Sequence, residues 1–164
     1  MNTPASIHGH PIHPMLVTVP IGLWLFSFVC DLVFILGTGD LVWSDVAFFT
    51  LAGGLVGALA AAIPGLIDFF SIRDAEAKRT ARTHMTLNLV VVALVAINIW
   101  LRWTSPVDAV LPYLISAVSI AMLAVSGWLG GKLVYVLGIA TPAAPPRQVE
   151  RDVGLDARLG RGHR

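Results

Sequence analysis

Four long apolar stretches constrain this chain more than any other feature. They cover about residues 15–36, 46–70, 85–101 and 110–137, and each reaches or approaches the roughly 20 residues that a membrane-spanning helix needs. A soluble helical core would carry a polar face on each stretch, and these lack one. Of the 164 residues, 56% are hydrophobic and 13% charged, against roughly 25% charged in soluble domains. The expected fold class is therefore an all-α membrane protein, a four-transmembrane-helix bundle with short connections. Residues 15–137 would form the bundle, 1–14 a histidine-rich N-terminal segment and 138–164 a disordered cytoplasmic tail.

Cys30 is the only cysteine, which excludes disulfide frameworks and thiolate zinc sites within one chain. No Lys or Arg precedes Met15, and Ser27, Phe28 and Val29 make a poor lipoprotein box, so the first apolar stretch is expected to remain as a span. Lys and Arg set the orientation. The connection at 71–82 holds Arg73, Lys78, Arg79 and Arg82, and the tail holds five more arginines, whereas the other two connections contribute only Arg102. With four spans, both termini are expected on the cytoplasmic side of a bacterial inner membrane. The second stretch is built on small residues, from Gly53 to Gly65, which lets a neighbouring helix approach closely. The residue types show no internal repeat.

The polar residues inside the spans fall on few faces. With His84 as zero and about 100° per residue, Asn88 falls near 40°, Asn98 near −40° and Arg102 near 0°. His13 and Asp31 share a face of the first span, as do Thr50 and Asp68 on the second. This puts two polar layers at opposite ends of the bundle. Asp31 and Arg102 lie at similar depth, and neither would stay alone in hydrocarbon, so a structural ion pair between spans one and three is expected.

The other layer holds His10, His13, Asp68, His84 and Asn88, with Lys132 near the end of the fourth span. Three readings fit these residue types. His13 and His84, beside Asn88, could be the cofactor-binding set as axial ligands of a b-type haem, with Arg79, Arg82 or Lys132 at its propionates. His8, His10 and His13, completed by Asp68, could hold a divalent metal, although Pro11 and Pro14 leave the geometry open. Alternatively the layer is a hydrogen-bonded cap in which Asp68 accepts from His84 or from backbone amides of residues 15–17.

The run His8-Gly9-His10-Pro11-Ile12-His13-Pro14-Met15-Leu16-Val17, followed by Pro20-Ile21-Gly22, resembles the opening of a bacterial predicted-membrane-protein family known as domain of unknown function 2231. Gly65-Leu66-Ile67-Asp68-Phe69, His84 with Asn88, Asn98 with Arg102, and the segment from Gly127 to Tyr135 extend the resemblance across residues 7–137. It implies a four-helix membrane domain. Some members are joined to Rieske or c-type cytochrome domains, which implies a redox setting. This chain has no CxxCH of its own. Many relatives carry a histidine or proline-phenylalanine where Thr18-Val19 stands here, so a second first-span ligand is absent. The resemblance carries architecture rather than activity.

The leading functional expectation is a small inner-membrane protein that binds a redox cofactor at the histidine layer or assists a redox complex. A divalent-metal binder or transporter is the second, opposed by the apolar residues between the layers. A structural subunit of a membrane complex, or a homo-oligomer, is the third. Its docking faces would be the small residues of spans two and four, including Ser116, Ser119, Gly127 and Gly130. Nothing points to nucleic acid, and no nucleophile elbow or HExxH supports a stand-alone hydrolase.

Overall fold

A hairpin too short to be a domain opens the fold. The computed structural model describes residues 4–37 and 39–141. Strands β1 (Ser6–Ile7) and β2 (His10–Pro11) pair antiparallel. Their two-residue turn is His8-Gly9, with φ of 49° and 80°, the left-handed pair that matches the twist of a tight hairpin. The N-terminal segment is thus folded onto the bundle. Ala5 is buried, its N–H donates to Asp68 Oδ1 at 3.1 Å, and Ile12 N–H donates to Ala5 O at 3.0 Å.

The first span is α1 (Ile12–Leu16) running into α2 (Thr18–Leu36). The break falls where Pro20, lacking an N–H, cannot donate to Leu16 O. Then come α3 (Leu41–Ser71), α4 (Ala75–Thr104) and α5 (Val110–Gly131), which continues into a π-helical turn, Lys132–Val136. All four spans are long and apolar enough to cross a membrane.

Two boundaries differ from the sequence reading. The basic connection at 71–82 is mostly helix. Asp74 caps α4 by accepting from Ala77 N–H at 2.8 Å, and Ala75, Glu76, Ala77 and Lys78 are good helix formers, so Lys78, Arg79 and Arg82 ride on its first turns. At the other end, residues 138–141, assigned to the tail, turn back. Ile139 N–H donates to Leu133 O at 2.9 Å, and its buried side chain packs with Ile72, Ala77 and Ala81. The rest of the expected tail, 142–164, lies outside the described residues.

Around the bundle each helix packs on its chain neighbours, and α5 closes the ring against α2. Trp24, Leu51, Val91, Val95 and Leu123 fill the middle. The two halves repeat. His13 Nδ1–H donates to Ala61 O at 2.8 Å, and Ser27 Oγ–H donates to Ala47 O at 2.8 Å. In the second half His84 Nδ1–H donates to Ser126 O at 2.9 Å, and Asn98 Nδ2–H donates to Pro112 O at 3.0 Å. The donors are offset by 71 positions and the acceptors by 65. The same 71 positions relate Asp31 to Arg102. The fold is a parallel repeat of two helical hairpins about a lengthwise axis, a repeat the residue types did not disclose.

Candidate functional site

The histidine end of the bundle carries the densest polar chemistry, and the repeat explains its geometry. His13 and His84 approach from equivalent helices, with ring centroids 6.4 Å apart and planes at 87°. Each ring spends Nδ1 on a backbone carbonyl of the adjacent helix. A carbonyl can only accept, so the proton sits on Nδ1 and each Nε2 keeps its lone pair. This is the tautomer in which imidazole ligates a metal, and a carbonyl behind Nδ1 is the usual orienting partner.

Glycines let the rings reach those carbonyls. A Cβ on Gly65 would stand 2.7 Å from His13 Nδ1, and one on Gly130 would stand 3.2 Å from His84 Cε1. Gly65 follows Ala61 by one turn and Gly130 follows Ser126 by one turn, so the same cradle is built twice. Asn88 Nδ2–H donates to His84 O at 2.9 Å and lies 3.0 Å from His84 Nε2, holding that ring from the next turn. The Ser126 hydroxyl lies 3.0 Å from His84 Nδ1.

Of the expected residues, the structure brings together His13, His84 and Asn88. It does not assemble His10, His13 and Asp68. His10 is exposed on the hairpin, where its Nδ1 lies 3.1 Å from His8 O. Asp68 turns to the Ala5 amide. Among the described residues no three His, Cys, Asp or Glu side chains come together as a metal-ligand set. The expected divalent-metal set is thus not assembled among the described residues, with His10 exposed on the hairpin that the His8-Gly9 turn closes. The cap expected for Asp68 is a backbone amide, but from residue 5 rather than residues 15–17. Lys132 reaches Glu76 at 2.9 Å on the surface. Lys78 lies over the Phe69 ring at 3.8 Å and bonds Phe69 O.

At the opposite end Arg102 Nη2–H donates to Asp31 Oδ2 at 2.6 Å, with both side chains buried. Arg102 Nε–H donates to Asn98 Oδ1 at 3.0 Å and Nη2 reaches Ser116 Oγ at 3.3 Å. Asn98 Nδ2–H also donates to Ser116 Oγ at 2.9 Å. Arg102 Cζ lies 5.2 Å from the Tyr113 ring centroid. The sequence reading placed Ser116, Ser119 and Gly130 on a docking face for other subunits. Ser116 and Ser119 are instead buried inside the bundle, and Gly130 seats His84. Their small size admits the polar side chains of α4. Ser126 and Tyr113 were missed, and only the 65-position offset from Ala61 and Phe48 could have marked them.

The family match spans nearly all of this architecture, covering residues 9–143. The chain belongs to the DUF2231 family of predicted membrane proteins. No curated protein and no solved structure matches it. The matched DUF2231 region contains both histidines, Asn88, Asp68 and the Asp31–Arg102 pair, and it extends past Ile139.

Anchoring of the N-terminal hairpin rests on Asp68. Asp68→Ala is expected to cost about 1–3 kcal/mol, mostly by leaving the buried Ala5 amide without an acceptor. Hydrogen exchange at Ala5 should accelerate while the helices stay protected. Asp68→Asn retains an acceptor oxygen and should change exchange far less.

Proposed function

We propose that this protein is a redox-associated membrane protein in which His13 and His84 together hold one metal centre, the iron of a b-type haem. The observation that carries this is the doubled tautomer lock, which leaves two Nε2 lone pairs on rings 6.4 Å apart. His13 and His84 would hold the metal through their Nε2 atoms. A bare zinc ion is almost always four-coordinate in structural sites, and among the described residues no third ligand joins these two. Haem iron would take the two imidazoles of His13 and His84 as its protein ligands.

When bound, haem would supply one-electron chemistry. His13 and His84 would orient the iron through carbonyl-backed rings, and Asn88 would release Nε2 of His84. Arg79 and Arg82, exposed on the first turns of α4, are cations within the same end of the bundle for the propionates. The same cations, with Arg73, Lys78 and Lys132, support a cytoplasmic histidine end with both termini on that side. A reporter active only in the cytoplasm, joined after Arg164, should be active; its silence would reverse the orientation.

The deciding experiment is a visible spectrum of protein purified in mild detergent from haem-supplied cells, oxidised and dithionite-reduced. A Soret band is expected, lost in both His13→Ala and His84→Ala and kept in His10→Ala. A colourless protein under those conditions rejects the haem reading.

A further inference from the structure

We propose that a groove between α2 and α5, at the ion-pair end, binds the ammonium head of an amphiphile. The groove has a volume of about 500 Å³, with apolar walls from Phe28, Leu32, Val110 and Leu114. Ligand sites of this size are mostly apolar, with a few polar groups that fix orientation. The polar side chains here are Asp31, Asp108 and Tyr113.

Two carboxyl groups and a phenol thus face the groove. The Tyr113 hydroxyl donates to Val107 O at 2.5 Å. Asp31 is 1% exposed; its Oδ2 accepts from Arg102, and its buried Oδ1 has no hydrogen-bond partner among the described residues. A buried carboxylate oxygen without a donor calls for an explanation, and an ionisable group inside a span marks a site. The groove thus offers acceptors and favours an occupant that donates.

Charge narrows the choice. Arg102 balances Asp31, and exposed Asp108 leaves the groove one negative charge in excess. A protonated primary amine on an acyl or alkyl chain satisfies both requirements, with its chain along the apolar walls. A carboxylate or a quinone would bring acceptors to acceptors. The equivalent place in the other half differs. There Arg102 stands for Asp31, and Phe48 and Trp103, the counterparts of Tyr113 and Leu32, contact each other at 6.2 Å between ring centroids.

The test uses the full chain in detergent micelles, with dodecylamine, dodecanol and dodecanoate compared by native mass spectrometry. Dodecylamine should be retained about tenfold or more above the other two, as a charge-assisted hydrogen bond implies. Leu114→Trp, which fills the groove without touching the ion pair, should bring amine retention down to the dodecanol level. Asp108→Asn should lower it several-fold. Purification from mixed phosphatidylethanolamine and phosphatidylglycerol nanodiscs separates the sources. Enrichment of the ethanolamine lipid that Leu114→Trp abolishes identifies a phospholipid head, and amine retention without that enrichment identifies a free lipophilic amine. Equal retention of the three probes, or retention unchanged in Leu114→Trp, overturns the proposal.

Discussion

Arg102→Ala is expected to be the most damaging single substitution in the bundle, lowering stability by about 3–5 kcal/mol. The loss comes from what is left behind more than from what is removed. Asp31 would keep a carboxylate at 1% exposure with no counter-charge, and Asn98 Oδ1 and Ser116 Oγ would lose a donor each. Thermal unfolding in detergent, followed by size exclusion, reads the effect. Exchanging the partners, as Asp31→Arg with Arg102→Asp, should recover part of the loss, because the two positions are equivalent in the repeat. Recovery should be incomplete. Arginine at 31 would find Ser27 and Leu51 where Arg102 finds Asn98 and Ser116. A double variant no better than the worse single would show that the attraction across the axis is not what holds these helices.

The second large effect is expected at Gly54. A Cβ there would overlap the indole of Trp24, which is 4% exposed and donates from Nε1 to Leu51 O at 3.1 Å. Overpacking of this kind costs about 1–3 kcal/mol. The other half of the repeat solves the same contact in the opposite way, with Val95 in place of Trp24 and Ser119 in place of Gly54. Gly54→Ser alone should therefore destabilise strongly. Combined with Trp24→Val it should cost less than the sum of the two single changes, a coupling that a double-mutant cycle in detergent measures. Strict additivity would mean that these positions do not share one packing contact.

The spans were legible because lipid leaves no choice about a long apolar run, and the Asp31–Arg102 contact because a lone charge at that depth has few partners. Helix starts were less legible. Hydropathy stops at the last apolar residue, whereas α4 begins at Ala75 under an Asp74 cap that hydropathy does not register. The repeat was hidden for a chemical reason. Its equivalent positions keep a job and change the residue, serine for asparagine, aspartate for arginine, tryptophan for valine, so residue types do not match even where hydrogen bonds do. Among the donors that repeat between helices, His13 and His84, seated by Gly65 and Gly130, keep both. The metal reading of His10 lacked one local fact, the left-handed turn at His8-Gly9 that closes the hairpin on which His10 is exposed.

Nearly all the hydrogen bonds between helices described above stay within one helical hairpin or the other, the exceptions being Arg102 to Asp31 and Lys78 to Phe69 O. Each hairpin can therefore satisfy its own buried donors as soon as it enters the bilayer, before the second has been synthesised. Meeting of the hairpins is a separate event, closed by the ion pair at one end and by the Lys78 bond to Phe69 O at the other. The paired histidines at the other end exist as a pair only after that meeting, so occupancy of the site would double as a readout that the two inserted halves have found each other.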